Sequence, residues 1–197
     1  MADICLATED VVSEAVGEKL AGEAGLRVAT PLRKNGGGYL RSKTRSLCEM
    51  ARWQPVVLLT DLDLSECPPN LAANWFQHDA RPDDFLFRVA VREIEAWLLA
   101  DRTGIARFLQ INPRHVPPEP DTLPDPKRQL VALATRAPRK IRDDIVPCVG
   151  APSRQGVNYN SRLVDFVRAH WEPTRASIRS PSLYRARHRI AELAARL

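Results

Sequence analysis

Apolar residues arrive along this chain in short continuous runs that alternate with longer stretches of helical spacing. Residues 3–8 (Asp-Ile-Cys-Leu-Ala-Thr) form the first run and predict a buried strand. Val12, Ala15, Val16, Leu20 and Ala21 then recur on one helical face, with acids early where the helix dipole favours them, and Gly25 marks the stop. Residues 26–32 predict a second strand, and residues 40–53 a helix that is basic on one side. The clearest strand follows Pro55: Val56-Val57-Leu58-Leu59-Thr60 is apolar on both faces, as a central parallel strand must be. Residues 71–77 read as a helix, 85–91 as a strand rich in aromatic and β-branched residues, and 93–101 as the helix after it.

Strands alternating with helices predict an α/β core with a mainly parallel sheet and right-handed crossovers, occupying residues 1–104. The chemistry turns at residue 113, where the stretch to Pro126 is rich in proline and reads as loop or linker. Residues 105–197 are expected to form this linker and a basic, mostly helical C-terminal appendage. Its helices fall at 127–135, at 161–170 and from a Ser180-Pro181-Ser182 cap toward Leu197, with Leu183, Ala186, Ile190 and Leu193 on one face.

Charge and cysteine content narrow the classes. The 197 residues carry a net charge of +5 with arginine far in excess of lysine, which favours anionic partners such as nucleic acid without deciding the matter. Cys5, Cys48, Cys67 and Cys148 are scattered, with none of the close ligand pairs a structural zinc site needs. The N-terminus has no basic segment followed by a long apolar one, and no apolar run approaches the roughly 20 residues that span a bilayer. A cytoplasmic location is the expectation. A Walker A loop and a serine-hydrolase elbow are both missing from the sequence.

The candidate chemistry lies at strand ends. In open α/β sheets, ligands bind beyond the carboxyl ends of the strands. The first predicted strand runs into Glu9 and Asp10, the central one into Asp61-Leu62-Asp63, and the next into Glu93 and Glu95. Clustered carboxylates repel unless a cation neutralises them, and Mg²⁺ or Mn²⁺ suits such hard oxygen donors. The plainer account is that these acids cap helices or close Asx-turns. A second candidate is the Gly36-Gly37-Gly38 turn with Arg41, Lys43 and Arg45 after it and Arg33 and Lys34 before it. This is either a loop delivering cations to phosphates or an ordinary turn beside a solvated helix face. The C-terminal arginines admit the same two readings.

A first-strand glutamate followed by D-x-D after an apolar strand resembles the Toprim fold shared by topoisomerases, primases and OLD-type nucleases. Residues 9–15 (Glu-Asp-Val-Val-Ser-Glu-Ala), 59–63 (Leu-Thr-Asp-Leu-Asp) and 95–101 (Glu-Ala-Trp-Leu-Leu-Ala-Asp) are similar to a bacterial family of Toprim-like proteins. The resemblance covers the first hundred or so residues, with Leu123-Pro124-Asp125-Pro126-Lys127 beyond them. It implies a Toprim-like three-layer core in which Glu9 is the general acid/base and Asp61 and Asp63 hold Mg²⁺. Glu95 joins them as a candidate metal ligand by its place in the closer family. Where Toprim enzymes place glycine after the glutamate, this chain has Asp10.

The function implied is Mg²⁺-dependent hydrolysis of DNA or RNA, with Arg41, Lys43 and Arg45 on the nucleic acid. The resemblance further implies an effector that works with a separate ATPase in defence against phage. Alternatives remain: a non-cleaving nucleic-acid-binding or regulatory subunit, or a small-molecule phosphatase or nucleotidyl enzyme.

Overall fold

The computed structural model describes residues 1–33, 37–76 and 81–197. The chain divides into two compact units, one formed by Met1–Val91 with Tyr184–Leu197 and the other by Arg92–Leu183. The sequence placed a boundary at residue 104; the division falls instead after Val91, where the last strand has ended, and the final fourteen residues return to the first unit.

The first unit is α/β. Strands β1 (Ala2–Thr8), β2 (Leu26–Arg33), β3 (Val56–Asp61) and β4 (Phe85–Ala90) form one sheet in the order β2-β1-β3-β4, parallel throughout. β1 and β3 are central and almost wholly buried, which their unbroken apolar runs require. β2 lies at an edge, where burial alternates: Leu26 is buried while Arg27, Ala29, Pro31 and Arg33 are exposed. Proline is tolerated there because an edge strand has N–H positions with no ladder partner.

Helices α1 (Val11–Glu23), α2 (Gly37–Met50) and α3 (Pro68–Phe76) connect the strands. α1 lies on the face carrying Leu6, and approaches so closely that a Cβ on Gly17 would meet the Leu6 methyls at 2.8 Å. The opposite face carries Cys5, Ala7, Val56, Leu58, Phe85 and Phe87, packed with Leu40 and Leu47 of α2 and Leu71 and Phe76 of α3. Phe76 stands edge-on to both Phe85 and Phe87, at 5.5 and 5.0 Å between ring centres. The sheet therefore has helices on both faces.

One expectation for this unit is corrected. Gly37 and Gly38 are not part of a turn but open α2, so that helix starts three residues before Leu40. A helix's first N–H groups need no intrahelical partner, so glycine costs less there than in the interior. Gly36 and Lys34 lie outside the described residues, as does Gln77, expected at the end of α3.

The second unit is helical. α4 (Ile94–Ala100) is buried on every side, which explains why its sequence is apolar all round apart from Glu95. α5 (Arg102–Leu109), α6 (Pro126–Ala134), α7 (Arg139–Ile145), α8 (Tyr159–Ala169) and α9 (Pro173–Ser177) follow, and α10 (Pro181–Arg196) begins here and ends in the first unit. The sequence reading missed α5, α7 and α9, all of eight residues or fewer, too short for a helical period to repeat convincingly. The proline-rich stretch is packed: Val116 and Pro120 are buried, and Asp121 accepts hydrogen bonds from the Ser180 hydroxyl at 2.7 Å and the Ser182 N–H at 2.9 Å.

Polar bonds tie α4 to its surroundings. The Trp97 indole donates to Ser182 Oγ at 2.7 Å, and the Trp171 indole donates to the Trp97 carbonyl at 3.0 Å. Asp101, 1% exposed, caps α5 through Gly104 N–H, accepts from Glu172 N–H, and binds the Arg175 fork at 2.9 and 2.8 Å. No helix among the described residues is long and apolar enough to cross a membrane.

Candidate active site

The strand order fixes where a ligand can enter. The chain moves from β1 out to β2, then crosses back to β3 on the other side of β1. The helices on either side of that reversal diverge and leave a crevice beyond the carboxyl ends of β1 and β3. Glu9 follows β1 directly and Asp61 ends β3, so both acids stand at the switch point.

A cavity of about 300 Å³ opens there, lined among others by Glu9, Gly37, Arg41, Thr60, Asp61 and Asp63. Glu9 Oε1 accepts the Thr60 hydroxyl and, at 3.1 Å, the Asp61 N–H, so one carboxylate oxygen joins the ends of two strands. Oε2 receives no hydrogen bond among the described residues. Burial pushes the Glu9 carboxyl above the ordinary glutamate range; the two hydrogen bonds oppose this, and the negative charges of Asp63 and Asp10 add to it.

Gly37 explains part of that burial. A Cβ there would stand 3.2 Å from Glu9 Oε1 and 3.3 Å from Oε2, so the first turn of α2 presses on the carboxyl group. The N-terminus of a helix carries unpaired N–H groups and the positive end of the dipole, which suits an anion. Arg41, one turn further on, reaches across to α3 and donates to the Asn74 carbonyl at 3.1 Å. Trp75, also on α3, lines the cavity and rests on Phe87 at 5.4 Å between ring centres.

The D-x-D motif has a local logic. Leu62 N–H continues the ladder by donating to the Ala90 carbonyl at 2.9 Å, and the Leu62 side chain is buried in the core beneath α2 and α3. Asp63 then takes a left-handed conformation, φ 49°, and turns the chain away while remaining on the cavity wall. Aspartate tolerates that region better than most residues. Asp10 is accounted for differently: its Oδ1 accepts Val12 and Ser13 N–H at 2.8 Å each, which makes it the N-cap of α1.

The other site residues fall elsewhere. Lys43 is two residues beyond Arg41, about 200° round the helix, and its ammonium lies over the Tyr39 ring at 5.8 Å. Arg45 pairs with Glu49 at 3.6 Å and lines a separate cavity of about 370 Å³ with Cys48 and Arg52. Of the three cations, Arg41 is on the wall of the acidic cavity. Glu95 belongs to the second unit and is 2% exposed. Tyr159 donates to its Oε1 at 2.9 Å, the Lys127 ammonium stands 3.4 Å from the same oxygen, and burial raises its pKa.

As the side chains stand, no three His, Cys, Asp or Glu residues among the described residues converge as a metal-binding group. The donors on the cavity wall are a pair of aspartates with oxygen neighbours and no nitrogen or sulfur ligand, a set that fits Mg²⁺ or Mn²⁺ held by two carboxylates and completed by water and substrate oxygens. Thr60, Asn74 and Trp75 were not picked out as site residues by the sequence reading, and Gly37 was read as part of a turn. Only the switch-point rule, applied with the strand order known, brings them together.

Comparison with known proteins gives no match: no family model, no curated protein and no solved structure aligns significantly with this chain. The Toprim resemblance rests on its motifs.

Proposed function

We propose that the chain is a Toprim-like, Mg²⁺-dependent enzyme that hydrolyses phosphodiester bonds in DNA or RNA at the cavity between β1 and β3. The observation that carries this reading is the meeting of Glu9 with Asp61 at the topological switch point, under the N-terminus of α2. Asp61 and Asp63 would hold the ion, which supplies charge neutralisation for the phosphoryl oxygens. The α2 N-terminus and Arg41 bind a phosphate, while Trp75 offers a ring to a neighbouring base. Glu9 moves the proton: Oε1 is held by Thr60 and Asp61, and a raised pKa lets Oε2 carry a proton nearer neutrality than an ordinary glutamate does. A separate ATPase would provide the nucleotide-driven control that a chain without a Walker A loop lacks.

The test is cleavage of labelled DNA and RNA in Mg²⁺ or Mn²⁺ by wild type, Asp61→Ala and Asp63→Ala. Loss of cleavage in both variants with unchanged unfolding curves is the expected result. Cleavage at the wild-type rate by both would move the chemistry elsewhere. A second reading, a non-cleaving nucleic-acid-binding or regulatory subunit, draws on the way Glu9 Oε1 is occupied in joining two strands. It predicts retained binding with no cleavage under any divalent ion.

A further inference from the structure

The whole of the net charge resides in the second unit. Residues 92–183 hold fifteen Arg and Lys against ten Asp and Glu, a net of +5, whereas the first unit has fourteen of each and is neutral. Within that basic unit, α5, α7 and α8 border an open cavity of about 510 Å³. Such a volume falls in the ~300–1,000 Å³ range of small-ligand pockets. Its wall carries Arg107, Lys140, Arg162 and His170, the amide of Gln110 and the ring of Phe108, and no carboxylate.

These cations differ in what they already do. Arg162 is committed, with its Nε 2.9 Å from Asp144 Oδ2 and its guanidinium 5.9 Å from the centre of the Phe108 ring. Arg107 and Lys140 are exposed and have no ion-pair partner among the described residues. A wall with two uncommitted cations and no acid attracts an anion, and arginine's planar fork matches phosphate oxygens. The rest of the wall suits something other than an inorganic ion. Phe108 packs on Phe166 at 5.1 Å, and the His170 ring stands exposed 6.1 Å from Phe108. An exposed ring braced by aromatic neighbours, beside a planar guanidinium, is a surface on which a base can stack.

We propose that this cavity is a nucleotide-binding site, taking the phosphate on Arg107 and Lys140 and the base against His170 and Arg162. The ligand is either a free nucleotide or one unit of a single strand. The site needs no metal and shares no residue with the acidic cavity, so the two can be tested independently.

The experiment is isothermal titration of the full chain in EDTA with AMP, with inorganic phosphate and with a single strand of about six nucleotides. Each is repeated on Arg107→Glu and Lys140→Glu, whose exposed positions leave the fold intact. Binding of AMP or of the strand that weakens by at least about tenfold in each variant is expected, since each loses a charge-assisted contact and gains a repulsion. AMP binding identifies a free nucleotide as sufficient; binding of the strand alone identifies the strand as the source. Inorganic phosphate binding as tightly as AMP and the strand would overturn the proposal, because the base would then contribute nothing. Binding undiminished in both variants, or no binding at all, would overturn it too. None of these results touches the reading of Asp61 and Asp63, whose assay requires the divalent ion.

Discussion

Replacing Glu9 separates its structural role from its chemical one, because glutamine and alanine remove different things. Glutamine can keep its carbonyl oxygen where Oε1 stands, accepting the Thr60 hydroxyl and the Asp61 N–H, while losing the capacity to exchange a proton. Alanine leaves both donors without their acceptor. Water can enter this open cavity, so each lost bond costs nearer the lower end of the ~1–3 kcal/mol range, and Glu9→Ala should be about 2 kcal/mol less stable than Glu9→Gln. Cleavage should fall by ~10²–10⁴-fold in both if Glu9 transfers a proton.

The pH dependence has a definite sign. Burial holds the folded-state carboxyl above its unfolded value, so between the two values the folded protein binds more protons than the unfolded one. Stability from this group is then greatest below the unfolded value near 4.5, and falls as pH rises through the folded value. Glu9→Gln, which stays neutral, should lose that slope. Urea unfolding at pH 4 through 8, followed by circular dichroism, reads both effects. Equal stability of the glutamine and alanine variants would show that Glu9 does not join β1 to β3. A wild-type slope in Glu9→Gln would show that the pH dependence belongs to another group.

Three further outcomes are expected. Asp101→Ala should cost ~2–3 kcal/mol by urea unfolding, because it leaves the N–H groups of Gly104 and Glu172 without their acceptor, while the half-exposed Arg175 guanidinium can turn to water. Glu95→Gln should reduce the loss of stability as pH rises above about 4.5, since burial raises the Glu95 pKa in the folded state and Tyr159 can still donate to the amide oxygen. For nucleic-acid binding measured against salt, Arg41→Ala should lower the slope by about one ion and Lys43→Ala should leave it unchanged, because only Arg41 lies on the cavity wall.

The α/β class was legible because the middles of β1 and β3 are buried on both faces, so residues 4–7 and 56–59 are unbroken apolar runs. The acids at their ends were legible for a related reason, standing out against those runs. Gly37 and Gly38 were misread because a glycine run is the same signal whether the chain turns freely or a backbone must approach a side chain closely. At Gly37 the second applies, and the partner is Glu9, 28 residues earlier in the sequence. The cations of α2 were read as one face from proximity in sequence. Lys43 lies about 200° from Arg41, and no composition argument contains that angle. The cavity of the second unit was less legible still, since Arg107, Lys140 and Arg162 come from three helices, two of which the sequence reading missed.

Glu9 and Glu95 share a raised pKa and differ in what surrounds it, and that difference bears on which carboxylate can act. Around Glu95 the raising effect of burial is met by the Lys127 ammonium and the Tyr159 hydroxyl, both inside the second unit, and Oε2 is sealed from solvent with no hydrogen-bond partner among the described residues. A proton on that oxygen has nowhere to go, and a metal ion would have to compete with an ammonium already in place. Around Glu9 the opposing groups are a hydroxyl and a peptide N–H, both on Oε1, and the carboxyl opens onto a cavity with two aspartates and a helix N-terminus on its wall. A perturbed carboxyl does chemistry only where its proton can reach a substrate. Of these two glutamates, Glu9 meets that condition.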